Sequence, residues 1–157
     1  MGNKLGTVFK WLTNLATQVT GTLPVANGGT GVTTATLCFA VAMSDETTVL
    51  STASTTVPKA TFHMPIAMTV TSVKAGLTTA GTGAALVTVD IHEAGTTILS
   101  TKITIDATEK TSATAATQPV ISDTALAVDS LIELFLDVRD TDNVATGLKC
   151  YITGNPA

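Results

Sequence analysis

Charge is what this chain has least of. Lys, Arg, Asp and Glu make up 13% of its 157 residues, where an ordinary soluble domain carries about a quarter. The eight basic residues are scattered, the formal net charge is −4, and no Arg cluster is interleaved with aromatics. A nucleic-acid partner is therefore not expected, because nothing here makes the basic footprint that a phosphate backbone requires. Aromatics are also scarce, at 4%, with one Trp and one Tyr. A sugar-binding surface built on aromatic platforms is excluded, so contact with a glycan would rest on Thr, Asn and Asp hydrogen bonds over a shallow surface. Cysteine is limited to Cys38 and Cys150, which form no C-x-x-C pattern, and with two His in the chain a zinc site is not expected. Free buried thiols are the expected state, with a bridge between the first and last strands as the alternative. Cys150 alternates with Leu148 and Ile152 and is read as core.

The residues that carry acid–base chemistry are equally thin. His92 and Glu93 fall at an expected hairpin turn, where neighbouring residues point to opposite faces and no nucleophile of known spacing accompanies them, so a solvated turn is expected. His63, between Phe62 and Met64 and near Pro65, is read as a strand or subunit-contact residue. Asp137, Asp140, Asp142 and Asn143 place several oxygens within seven residues. Calcium takes six to eight oxygens from such loops, but the spacing is not that of an EF-hand, and a plain acidic loop is the expectation. No catalytic, cofactor or metal residue is assigned, and the chain is not read as an enzyme.

What is present is apolar and β-branched. Hydrophobic residues reach 45% and about a fifth of the chain is Thr, enough for a core and suited to a pleated sheet whose outer face meets water or another subunit. A surface so poor in charge favours assembly over free diffusion.

Three segments follow from the patterning. In residues 1–19, Leu5, Val8, Leu12, Leu15 and Val19 keep an a/d heptad and Phe9 widens the stripe, predicting an amphipathic helix of about four turns that serves as an anchor. So short a helix is marginal alone and must bury its stripe on its own domain, on copies of itself or on a partner. Lys10, Trp11 and Asn14 interrupt the apolar run, so neither a signal peptide nor a membrane span is expected. Gly6 stands where N-myristoylation wants Ser or Thr. Residues 20–35 form a Gly/Pro-rich linker. Pro24 fixes its own φ and Gly28, Gly29 and Gly31 open angles closed to other residues. The run lacks the Lys-Ser/Thr ending of a phosphate-binding loop.

Residues 36–157 change to period two. Strands are predicted at Leu37–Met43, around Met68–Leu77, at Ala85–His92 and Ile98–Ile105 as a hairpin about Glu93–Thr96, at Val120-Ile121, at Leu131–Val138 and at Leu148–Thr153. Thr47–Thr56 is read as edge strand and loop. In Met68–Leu77, Val73, Ala75 and Leu77 are expected to face away from Met68, Val70 and Ser72. The fold class is mainly β, an antiparallel β-sandwich or jelly roll of seven to nine strands behind the helix and linker.

Leu23-Pro24-Val25-Ala26-Asn27-Gly28-Gly29-Thr30-Gly31 resembles the PVANGGTG element that recurs in bacteriophage tail-fibre and tail-spike proteins, between an attachment region and the distal fibre. Residues 62–154 also resemble distal or surface domains of phage structural proteins. That likeness is carried by Val87–His92, Ile98–Thr101, Ile103–Asp106, Glu109–Ser112, Ile121–Asp123 and Gly147–Lys149, and it departs at Val128-Asp129, where Gly-Asp is common. The resemblance implies a virion protein: a short homotrimeric tail or head fibre whose knob attaches to the host surface, with a surface glycan as one candidate receptor, and whose anchor meets other virion proteins. A capsid decoration or cement protein is the first alternative, and a cellular carbohydrate-binding module the second.

Overall fold

From Leu37 the alternation of apolar and small polar residues produces strands, and the structure, a computed structural model, describes residues 35–157. The anchor residues Leu5, Val8, Phe9, Leu12, Leu15 and Val19 and the linker element Leu23–Gly31 lie outside the described residues. Eleven strands are present among the described residues: β1 (Leu37–Ala42), β2 (Ala60–His63), β3 (Met68–Gly76), β4 (Val87–Glu93), β5 (Thr96–Thr97), β6 (Leu99–Thr101), β7 (Ile103–Ile105), β8 (Val120–Ile121), β9 (Ala125–Leu126), β10 (Leu131–Val138) and β11 (Lys149–Pro156). One sheet runs β1-β11-β3-β9. The other runs β2-β10-β4-β5, with β7 also on β4, and β6 pairs with β8 apart from both. Every pairing is antiparallel. The protein is therefore a mainly β, antiparallel sandwich.

The core lies between the inward faces of the two main sheets. Val73, Ala75, Cys150 and Ile152 from one meet Val89, Ile91, Ile132, Leu134 and Leu136 from the other, all within one cluster. Ile132, Leu134 and Leu136 are alternate residues of β10 and are at most 1% exposed, so truncating any of them to Ala costs about 2–5 kcal/mol.

Two irregularities correct the simple alternation. On β3 the register shifts opposite Thr153 and Gly154, which face Ser72 and Val70, leaving Thr71 as an extra residue. That bulge reverses the phase, so Met68 and Val70 are buried on the same core as Val73 and Ala75, not on the opposite face. Gly154 permits the close approach, because a Cβ there would run into the Thr69 carbonyl.

The second lies beside β4. Ile98–Ile105 was expected to return as one strand, and the hairpin does begin with Ala94 (φ 48°) and Gly95 (φ 81°) joining the paired residues Glu93 and Thr96, as a two-residue turn with both φ values positive requires. Thr97 pairs with His92, and Ile103 with Val89. Five residues, 98–102, thus stand against two, Asp90 and Ile91. The excess leaves the sheet as β6, which pairs with β8.

Smaller differences follow the same physics. Thr47–Thr56 holds no strand; Val49 makes one isolated bridge to Thr146. Cys150 is buried as expected, but Cys38 is exposed and both thiols are free. Cys38 pairs across with Thr153 and Cys150 with Val41, so the two do not face one another.

Candidate functional site

The excursion of residues 98–102 builds a polar cluster on the outer face of the second sheet. Along β4 the residues Val87, Val89 and Ile91 enter the core, so Asp90 and His92 point outward. Phe135 and Asp137 share that face on β10, where Phe135 stands directly opposite Asp90. A register shift between Leu136 and Val138 leaves Asp137 as the bulged residue. Over this face lies Lys102, between β6 and β7.

Asp90 is 2% exposed and has both oxygens occupied. Its Oδ1 accepts from the Ile91 N–H at 2.8 Å and from the Thr97 hydroxyl at 2.6 Å. Its Oδ2 accepts from His92 Nε2 at 3.2 Å and from Lys102 Nζ at 3.0 Å. Lys102 also donates to Asp137 Oδ2, and the His92 ring rests on Phe135 with centroids 4.5 Å apart. Burial by itself pushes the Asp90 carboxyl up, but the bonds from Thr97, Lys102 and His92 outweigh it and hold the group below its ordinary value. The hydrogen bond to Asp137 raises Lys102 above its own, against the opposing effect of burial.

An acid and a histidine in contact are the orienting half of a hydrolytic triad. The hydroxyl within reach, Thr97 Oγ1, donates to Asp90 rather than to His92, so the wiring that activates a nucleophile is absent from this cluster. The arrangement pins strands together. His92 is accordingly not a solvated turn residue, since β4 runs through Glu93 and the His92 side chain is 20% exposed. Glu93 turns the other way, and its Oε1 accepts from the Ala127 N–H at 2.8 Å. His63 closes β2, where its Nδ1 donates to the Asp129 carbonyl at 2.8 Å.

The acidic stretch 137–143 is divided by the structure. Asp137 belongs to Lys102, while Asn143 Oδ1 accepts from Arg139. Asp140, 1% exposed, accepts at Oδ2 from the Val144 and Ala145 N–H groups at 2.7 and 3.1 Å. Asp142 Oδ2 accepts from the N–H of Thr82 at 2.6 Å and from its hydroxyl. Thr82, then the Asp140 carboxyl within hydrogen-bond reach, hold the Asp142 carboxyl well below the usual range. Among the described residues no group of three or more His, Cys, Asp or Glu converges.

At the start of the sandwich Asp45 Oδ1 accepts from the N–H and hydroxyl of Thr47, both at 2.8 Å, and from the Thr48 N–H at 3.1 Å. These bonds, the Thr47 N–H foremost, lower its pKa to about 2. Next to this turn a shallow pocket of about 220 Å³ opens between Met43, Asp45, Leu50, Lys59 and Leu136, below the several hundred Å³ of an ordinary small-molecule site.

Lys102 and Thr97 had no assigned part in the sequence reading. The available signal was a lone Lys inside the apolar run Ile98–Ile105, with Asp90 between Val89 and Ile91. No described helix is long and apolar enough to cross a membrane. Comparison of the chain with family models, curated proteins and solved structures finds no match.

Proposed function

We propose that the protein is a non-enzymatic structural component of a bacteriophage virion, a short homotrimeric fibre whose β-sandwich knob meets the host surface. The observation that carries this reading is the Leu23–Gly31 element, set between the apolar heptad stripe of residues 5–19 and a Thr-rich sandwich. Support comes from the sandwich itself. Asp90, Lys102 and Asp137 are spent on holding strands, and β1, the first strand after the linker, leaves Leu37, Phe39 and Val41 only partly buried beside Phe62. Phe39 and Phe62 stack across the two sheets with centroids 6.1 Å apart. Three weak knobs on one stem gain host avidity without any new contact, and a glycan would meet Thr hydroxyls rather than aromatic platforms.

A second reading, a capsid decoration or cement protein, is favoured by one feature: five residues separate Gly31 from β1, leaving no shaft between linker and knob. Virion incorporation decides between them. A chain starting at Thr36 is expected to be left out of particles, because the stripe that docks is gone. Its full incorporation would move the binding surface onto the sandwich and favour the cement reading. Loss of the wild-type chain from every purified particle would refute both.

A further inference from the structure

We propose that the open edge of β1, with the outer face beside it, is the surface on which neighbouring copies of this chain pack in the homotrimer. The inference rests on that trimeric reading and assigns its contact. A sheet edge leaves main-chain groups unpaired, and proteins blunt such edges by keeping them short, by placing charge or proline there, or by bulges. Among the described residues the other edges are treated in this way. Strands β5 to β9 are two or three residues each, and β2, four residues long, is bracketed by Pro58-Lys59 and Pro65. By contrast β1 runs six residues, Leu37–Ala42, with no charge, no proline and no register shift against β11.

The ladder fixes which groups are open. Just past β1 the Met43 N–H donates to the Leu148 carbonyl at 2.8 Å, in the same register that pairs β1 with β11. In an antiparallel pair such bonded positions recur at every second residue. Leu37, Phe39 and Val41 therefore spend their main-chain groups on β11, while Cys38, Ala40 and Ala42 turn theirs to the open side. The side chains of those three are exposed on the outer face. There Ala40 stands opposite Tyr151 and Cys38 opposite Thr153, so the chain's one Tyr sits among small uncharged neighbours on the β1 side. Lys149, at the end of this strip, is paired with Glu46. Interface cores are depleted in charge and enriched in Tyr, and identical copies meet here without like-charge repulsion. The opposite sheet instead turns Asp90, His92 and Asp137 outward, beneath Lys102. The path of the chain names the occupant: residues 1–34 lead into β1 through Ala35 and Thr36 alone, so a stem shared by three copies tethers each sandwich by this strand and raises its concentration at its neighbours. Cys38, near the start of β1, marks the rim, where its thiol stays open to reagents.

The test is residue-resolved hydrogen–deuterium exchange on the full-length chain, wild type and Ala40→Lys, with light scattering of the same samples. In a wild-type trimer the amides of Cys38, Ala40 and Ala42 are expected to exchange at least about tenfold more slowly than open-edge amides. Ala40→Lys changes an exposed position, keeps the circular-dichroism spectrum, and is expected to release that protection and weaken the trimer. A trimer whose three amides exchange at open-edge rates overturns the inference and leaves the homotrimer reading standing, with its contact elsewhere. Protection that survives in Ala40→Lys at undiminished trimer stability also overturns it, because a neighbouring copy is then not the cover. A monomeric wild type overturns the inference together with the trimeric reading beneath it.

Discussion

Replacing Lys102 by Met removes one charge and leaves two carboxylates with unequal support. Asp90 keeps the Ile91 N–H, the Thr97 hydroxyl and His92. Asp137, 7% exposed, loses its ammonium partner, and its other oxygen already has none. Stranding a buried charge costs roughly 3–5 kcal/mol. The Lys102 side chain is 40% exposed, so water reaches the vacated place, and a discounted loss of about 2 kcal/mol is expected. For a domain of this size that lowers the melting temperature by about 8 °C at pH 7. The pH dependence fixes the cause. Asp90 sits below its ordinary 3.8, so its contribution is present above that value and lost as pH falls through the folded pKa. Lys102 sits above 10.5, so its contribution is present below that value and lost as pH rises through the folded one. The wild-type network therefore stabilises between about pH 4 and 10, and the penalty in Lys102→Met shrinks below about pH 4 as Asp90 takes up a proton. Circular-dichroism melts of Lys102→Met, Asp137→Leu and the double variant at pH 7 and 3 measure it, and the double variant recovers most of the loss. A penalty under about 0.5 kcal/mol, or one equal at both pH values, would refute the reasoning.

Other outcomes follow from the same packing. Gly154→Val forces a side chain into the Thr69 carbonyl at the β3 bulge and is expected to cost at least about 2 kcal/mol by chemical denaturation; wild-type stability would place the bulge elsewhere. In native buffer a thiol reagent modifies Cys38 and spares Cys150, whose burial pushes its thiol to about 12; mass mapping of the peptides reads this directly. A chain starting at Thr36 stays soluble and β-rich, because it keeps the whole core cluster found among the described residues; an unfolded product would tie the sandwich to the N-terminal segment. In light scattering the full chain gives about three copies per particle and Leu12→Asp breaks them apart by burying a charge in the seam; a monomeric wild type would count against the fibre.

Period-two patterning determined the class of the fold and most strand positions on its own, because each face of a strand meets one environment over its whole length. Ile132, Leu134 and Leu136 were readable for that reason, as was Cys150 between Leu148 and Ile152, whereas Val138, expected on the same face, is exposed beyond the Asp137 bulge. What the alternation does not encode is where it slips. The extra Thr71 reverses the faces of Met68 and Val70, and the choice depends on Gly154 on a strand more than eighty residues away. Residues 98–102 leave the sheet because β8 lies where β6 can pair with it, and a local window holds no trace of that partner. The polar sites share this origin. Asp90, Lys102 and Asp137 are far apart in the chain and meet only because two irregular strands deliver them to one face. Asp140 and Asp142 looked like one acidic run with Asp137 and Asn143. The tertiary structure sent Asp137 to Lys102, Asn143 to Arg139, Asp142 to Thr82 and Asp140 to the Val144 and Ala145 N–H groups. Sequence spacing measures distance along the chain, whereas charge pairing is settled by distance through the fold.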